Sequence, residues 1–232
     1  MQAEAKQSAR TRERNKAILQ ARNLLEIPDW LIFSSQITSF SDSQADCPLQ
    51  LVSVAIMAPN RQVLLDACIC PSGRATAAML RRHGTNQMKL SDAVSAASLL
   101  GAIADLCDKR DVLCWDLPLQ VRNLGVIATL AAQAPPPLRT VSVQACFAGF
   151  VGDETDDATF KMQPLPGGSC VDNEEVSAPK ECQNIVELIY MMAGSSQVSE
   201  SATVLNKNWS ATFYKPKQGP AQKLKSFFGF VE

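Results

Sequence analysis

The segment LIFSSQITSF, residues 31 to 40, begins as an apolar strand and ends in hydroxyl and amide side chains. Strand ends in α/β proteins commonly present the side chains of a functional site. Binding a metal ion or moving protons there would call for carboxylates. Ser34 and Gln36 occupy this place instead, and their spacing of two puts them on one face of a strand. A strand end where catalytic groups would be expected therefore carries side chains that form hydrogen bonds but are uncharged.

Other residues that could take part in catalysis or metal binding are scattered along the sequence. Asp116 follows an apolar segment and could bind one weak cation, with most of the coordination left to water. The acidic run DETDD, residues 153 to 157, lacks the spacing of an EF-hand and is interpreted as a solvated turn. The single histidine, His83, lies in a predicted loop without a carboxylate or Cys partner, which favours a structural or solvated role. Ser34 has no oriented base in the sequence, so nucleophilic hydrolysis is not predicted.

Composition is that of a soluble globular chain of one domain with extensions, with 232 residues, 46% hydrophobic and 19% charged. The eight cysteines and the lack of an apolar export segment near the start predict free thiols in a reducing compartment, the cytoplasm. One histidine and no CxxC pair argue against structural zinc. No segment approaches the ~20 apolar residues of a membrane span.

Charge is concentrated at the two ends, although the formal net charge is only −1. Residues 1–27 contain six Lys or Arg and three Glu, and the segment from Asn206 onward contains five Lys and one Glu. These basic termini are the places where the chain could contact nucleic acid.

The elements that must position these residues follow from hydrophobic periodicity. A helix is predicted over 7–26, ending before Pro28. Three β-rich segments then predict an antiparallel meander: 30–36, 49–59 and 61–70. After a capping signal at Ser91 and Asp92, the pattern predicts a helix over 93–107, a strand over 111–116, a helix over 117–133 that precedes three prolines, a strand over 139–147 and a helix over 182–194.

This order predicts an α/β fold, a mixed five-stranded sheet flanked by helices. The domain organisation we predict is a basic helical N-terminal extension (1–27), a core domain (28–195), and a linker with a flexible C-terminal tail (196–232).

The order of elements and several short motifs resemble the proofreading exonuclease family of the ribonuclease H-like fold, the type found in the epsilon subunit of bacterial replicases. The resemblance covers about residues 20–195. The family hairpin VLLD-x-x-x-x-P is similar to Val63–Pro71, its His-Gly to His83-Gly84, and its Gln-x-Leu-Pro-Gly-Gly loop to Gln163–Gly168.

The resemblance also assigns positions to the family's catalytic residues. The first strand of the family ends in Asp-x-Glu-Thr-Thr-Gly, which falls on Ser34 to Ser39, so that its two acids become Ser34 and Gln36. The Asp of the second motif becomes Gln120, the general-base His becomes Val176, and only the closing Asp keeps a carboxylate, as Glu181. Two magnesium ions need a cluster of charged oxygen ligands, which one acid cannot supply.

The resemblance therefore implies a degenerate, non-catalytic member of the family, without a cofactor. Such a protein would act as an accessory or scaffold subunit of a complex in DNA replication or repair. Two alternatives stay open: an active metal-dependent 3′–5′ exonuclease with a rearranged acidic site, using Mg²⁺ with Asp116, Glu181 and acids such as Asp42 or Asp46, or a single-stranded nucleic-acid-binding protein.

The C-terminal segment joins a Pro/Gly/Lys linker to an apolar cluster. Leu224, Phe227 and Phe228 fit one face of a short turn and, with Phe230, resemble the clamp-binding peptides of replication proteins. They imply a protein partner, a sliding clamp or a polymerase complex. Two other roles are left open: docking of these aromatics onto the protein's own domain, and stacking on single-stranded nucleic acid.

Overall fold

A computed structural model describes residues 2–27, 29–40, 49–69, 94–152, 165–166 and 177–197. Five strands form one sheet in the spatial order β3-β2-β1-β4-β5. They are β1 (Trp30–Phe40), β2 (Leu49–Met57), β3 (Val63–Ile69), β4 (Asp111–Cys114) and β5 (Arg139–Ser142). The first three strands are an antiparallel meander, and β4 and β5 run parallel to β1. The sheet is therefore mixed and five-stranded, as the sequence predicts.

Helices cover both faces of the sheet. They are α1 (Gln2–Glu26), α2 (Ala96–Cys107), α3 (Leu117–Leu130), α4 (Val143–Val151) and α5 (Ala178–Gly194). One core forms where α1, α4 and α5 pack on one face, around Trp30, Ile32 and Leu113. A second core forms where α2 and α3 pack on the other face, around Leu31, Phe33 and Val112. The alternation of side chains along β1 supplies both cores at once.

The N-terminal helix is predicted, although it begins at Gln2 rather than at residue 7; Ala17, Ile18 and Ala21 are each at most 2% exposed, and Ala21 lies in the first core. Its Arg22 guanidinium donates hydrogen bonds to the carbonyl oxygens of Ala193 and Ser195, at 2.9 Å each. These bonds satisfy carbonyls at the end of α5, which have no partner within that helix.

Several predicted boundaries differ from the structure: β1 extends to Phe40 rather than residue 36, α5 begins at Ala178 rather than residue 182, and two further differences have a local cause. Helix α2 begins at Ala96, and its cap is Ser95, whose side chain accepts a hydrogen bond from Ser98 N, rather than Ser91 and Asp92. The predicted strand over 139–147 ends at Ser142, because the Ser142 hydroxyl accepts a bond from Ala145 N and starts α4. The run VQACF continues the apolar pattern of the strand, so that pattern alone does not reveal the change.

The cysteines in the described part of the chain form no disulfide; they are Cys68, Cys107, Cys114, Cys146 and Cys182. Burial raises the pKa of the Cys107 and Cys146 thiols to about 12. These thiols therefore stay protonated and act as small apolar side chains. Among the described helices, none is both long and apolar enough to cross a membrane.

Candidate functional site

The candidate site begins where β1 changes from apolar to polar. Trp30 and Ile32 face the first core, and the next two residues on that face are Ser34 and Gln36. Ser34 is 0% exposed, while Gln36 is partly buried. Helix α5 packs over β1 and β2 at this point. The strand therefore presents one hydroxyl and one amide beneath the beginning of a helix.

Glu181 comes from the first turn of α5, whose cap position is Ser177. Burial raises the pKa of this carboxyl above its ordinary value of 4.5, and burial has the largest effect on that pKa. Hydrogen bonding from the Ser34 and Gln36 side chains lowers the pKa, and the negative charge of Asp116 raises it. These three residues, Ser34, Gln36 and Glu181, are called the strand-end cluster below.

Asp116 is a neighbour of the cluster that already has a structural task. It is the N-cap of α3, and its Oδ1 accepts a hydrogen bond of 3.0 Å from Leu119 N. A carboxylate at this place is favoured by the helix dipole and by the unpaired N–H groups of the first turn. Its charge acts on Glu181 from there.

Polar residues continue across the sheet on the same face. Ser34 pairs with Ala55, which pairs with Asp66 on β3, so the Asp66 Cα lies two strand spacings, about 10 Å, from the Ser34 Cα. Gln36 pairs with Ser53, which is 8% exposed. Among the described residues, Ser53 Oγ has no hydrogen-bond partner, and the contact of Ser34 Oγ with Glu181 that lowers the pKa of that carboxyl lies outside the geometric limits of a regular hydrogen bond. The region under the start of α5 is thus polar but incompletely bonded.

Gln120 lies on the other face of the sheet. Its Oε1 accepts hydrogen bonds from Ser35 N at 2.7 Å and from Ser35 Oγ at 2.6 Å. Asn123, one turn later in α3, donates from Nδ2 to Ser35 O at 2.9 Å. The parallel pairing of β1 with β4 ends at Ile32 and Leu113. The amides of Gln120 and Asn123 therefore bond backbone groups of β1 at Ser35, where β4 no longer pairs with β1.

The structure brings Ser34, Gln36 and Glu181 together, with Asp116 close enough to affect the same carboxyl. It directs Gln120 to Ser35 instead, away from the cluster. The other sequence-derived candidates lie outside the described residues: Asp42, Asp46, His83, Val176, Leu224, Phe227, Phe228 and Phe230.

The donor set limits what the cluster can do. A substrate cannot reach Ser34 Oγ in this conformation, because the residue is 0% exposed. Hydroxyl and amide oxygens can bind a divalent cation only weakly without charged ligands to offset its dehydration. Among the described residues, no group of three His, Cys, Asp or Glu side chains is placed to hold a metal ion. What the three residues support is a hydrogen-bonded contact between β1 and α5.

Sequence reasoning missed the bond between Ser35 and the amides of α3. A signal for it exists: Gln120 and Asn123 are three positions apart in a mostly apolar helix, which places two amides on one side of that helix. Their burial, at 2% and 3% exposure, requires a buried partner.

The chain was compared with protein-family models and with curated proteins. No family model matches it, and no curated protein matches at a significant level.

Proposed function

We propose that this protein is a non-catalytic relative of the proofreading exonucleases and works as an accessory or scaffold subunit of a nucleic-acid-processing complex. The proposal has two parts: a neutralised active site in the core domain and a partner-binding C-terminal segment. The first part is supported by residues that the structure describes, and the second by the sequence.

One observation carries the first part. At the end of β1, two of the positions that the resemblance assigns to metal-binding acids are a buried hydroxyl, Ser34, and an amide, Gln36. The carboxyl that remains beside them, Glu181, has a pKa raised by burial, which favours its neutral form. A two-metal nuclease needs the opposite, several ionised carboxylates that offset the cost of stripping water from the cations.

The fold gives weaker support. An antiparallel meander followed by two parallel strands, in the order β3-β2-β1-β4-β5, is compatible with a ribonuclease H-like sheet. Fold alone does not decide function. The direction of Gln120 toward Ser35 also means that this residue would serve the scaffold rather than the former site.

The direct test is a nuclease assay on single-stranded and mismatched DNA with Mg²⁺ or Mn²⁺. We expect no degradation by the purified full chain. Metal-dependent trimming that disappears in Glu181→Gln or Asp116→Asn would contradict the proposal and favour the active-nuclease alternative, because both residues lie at the candidate site.

A second test measures whether the strand-end cluster binds a metal ion once its two uncharged side chains are replaced by acids. The double variant S34D/Q36E adds two carboxylates beside Glu181, and we expect Mg²⁺ to raise its melting temperature and to bind it in calorimetry. A matched control, N60D/Q133E, adds the same charge at two exposed positions and should show neither effect. If the two double variants respond equally to Mg²⁺, the exonuclease-like assignment of Ser34 and Gln36 is wrong.

A further inference from the structure

A cavity of about 160 Å³ lies on the face of the sheet opposite the strand-end cluster. Its floor is formed by Phe33, Cys114 and Thr140, which are 1%, 1% and 5% exposed. Helix α3 forms one wall and the segment 135–138 the opposite wall. Gly125 and Pro135, which are partly or fully exposed, lie at its mouth.

Thr140 contributes a hydroxyl group to the lining of this cavity. Its Oγ1 is buried and has no hydrogen-bond partner among the described residues, although a hydroxyl can donate one bond and accept two. Buried polar groups in folded proteins are nearly always bonded, and an unpaired one is unfavourable. Gln120 also lines the cavity; its Oε1 is already bonded to Ser35, so only its Nε2 could meet a ligand.

The lining also restricts the charge of an occupant. The described lining residues include no Lys, Arg, His, Asp or Glu, so an ion that entered would lose water without gaining a counter-charge. Burial raises the pKa of the Cys114 thiol, which keeps that side chain neutral as well. The cavity is therefore suited to an uncharged molecule.

Size and polarity argue for a small organic molecule rather than water. A water molecule inside a protein needs two to four polar partners, and this lining is mostly apolar. An apolar cavity of about 150 Å³ in another protein binds benzene, so a volume of this order accommodates one six-membered ring.

The walls are stiff enough to keep the cavity formed. Three consecutive prolines, Pro135 to Pro137, restrict the backbone of one wall. The end of α3 is fixed by hydrogen bonds from Gln133 N to Ala128 O and from Ala132 N to Thr129 O, both at 3.0 Å. A preformed site loses little conformational entropy when it binds.

We propose that this cavity binds a small neutral molecule with a single ring and one hydroxyl group, whose hydroxyl bonds to Thr140 Oγ1. The inference is independent of the proposed exonuclease-like function, since the cavity and the strand-end cluster lie on opposite faces of the sheet.

Phenol is a suitable probe, with benzene as the comparator that lacks the hydroxyl. Binding to the full chain would be followed by two-dimensional NMR on the methyl groups of Thr140 and Leu138. We expect saturable shifts with phenol. In Thr140→Val, which keeps the shape and removes the unpaired hydroxyl, phenol should bind about three- to tenfold more weakly while benzene is unaffected.

A blocking variant tests the location. A Cβ atom built at Gly125 meets no atom within 4 Å, so the start of a side chain is tolerated there, and Gly125→Leu should place its side chain at the mouth of the cavity. It should abolish phenol binding. Gly101→Leu on α2 is the matched control, because a Cβ atom built there also meets nothing within 4 Å and Gly101 does not line the cavity.

Three results would overturn the inference. These are no saturable binding of phenol by the wild-type chain, undiminished binding in Gly125→Leu, and equal affinity of Thr140→Val and the wild type for phenol. Activity on DNA plays no part in any of these measurements, so their outcome is distinct from that of the nuclease assay.

Discussion

At the scale of single residues, the end of β1 divides its polar side chains between two faces of the sheet. Ser34 and Gln36 meet Glu181 on one face, and Ser35 meets Gln120 and Asn123 on the other. The three consecutive polar residues therefore have different surroundings, and each can be tested by a single substitution.

Glu181 should make stability depend on pH. Its pKa is raised in the folded state, so the folded protein holds this proton more tightly than the unfolded chain. The stabilising contribution is complete below the unfolded pKa, near 4.5, and is lost as pH rises through the folded pKa. A difference of one between the two pKa values corresponds to about 1.4 kcal/mol.

We therefore expect Glu181→Gln to be more stable than the wild type at pH 8 and about equally stable at pH 4, as measured by urea denaturation at several pH values. Glu187→Gln removes the same charge from an exposed position of α5 and serves as control. A stability difference between Glu181→Gln and the wild type that does not change with pH would contradict the raised pKa.

Gln120 should matter for stability through Ser35. Replacing it by Leu leaves a buried backbone N–H and a buried hydroxyl without their acceptor. Each unsatisfied buried group costs about 1–3 kcal/mol, so Gln120→Leu should lower the free energy of unfolding by about 2–6 kcal/mol.

Ser35→Ala is the matched comparison for Gln120→Leu, because it removes the hydroxyl bond but keeps the backbone bond to Gln120. We expect a loss of only about 1 kcal/mol for it in the same urea titration. Equal losses in the two variants would mean that the backbone bond of Ser35 contributes nothing.

At the scale of elements, an alanine, Ala132, follows the C-cap of α3 at a position where glycine is usual. Ala132 has a φ of 52°, and the bonds from Gln133 N to Ala128 O and from Ala132 N to Thr129 O form a Schellman motif around it. The left-handed conformation costs a residue with a side chain about 1–2 kcal/mol, and glycine adopts it freely.

Ala132→Gly should therefore raise stability by about 1 kcal/mol, or the melting temperature by about 2–4 °C. Ala131→Gly, one residue earlier in an ordinary helical conformation, has no strain to relieve and should be neutral or slightly destabilising. Thermal unfolding of both variants would decide the point, and an equal effect in the two would rule out strain at Ala132.

The sequence predicts the sheet well where hydrophobic periodicity is unambiguous. The three strands of the meander, the short strand after α2 and the helices α3 and α5 are all predicted from apolar spacing and from Pro or Gly near their ends. Helix α4 is missed because its apolar residues continue the apolar pattern of β5. At Ser142 the backbone changes from the hydrogen bonding of a sheet to that of a helix, since the Ser142 side chain caps α4.

The candidate site is less predictable, because it depends on packing between distant segments. Alternation along β1 is enough to place Ser34 and Gln36 on one face. Nothing local in the sequence reveals that Gln120 turns toward Ser35, since this depends on the position of α3 against the end of the β1–β4 pairing. The cavity beside Thr140 likewise arises from the way α3 and the proline segment meet.

At the scale of the whole molecule, the two faces of the sheet carry two separate features, the strand-end cluster under α5 and the cavity under α3. Gln120 belongs to the cavity side alone, since it lines the cavity and bonds Ser35 on the same face of β1. Residues 198–232, which hold the C-terminal tail proposed to bind a partner, lie outside the described residues.

The proposed partner-binding segment is tested by the double variant F227A/F228A. Burying Leu224, Phe227 and Phe228 in a partner's pocket offers about 1.5–3 kcal/mol each, or about 4.5–9 kcal/mol together before ordering costs, so the expected affinity is micromolar at best. We expect this variant to lose binding to an immobilised sliding clamp in surface plasmon resonance while its melting temperature stays unchanged. The control F213A/Y214A removes two aromatic side chains from the same segment and should keep binding. A marked fall in the melting temperature of F227A/F228A would show that these rings pack on the protein's own domain, because truncating a Phe to Ala lowers stability strongly where the ring is buried.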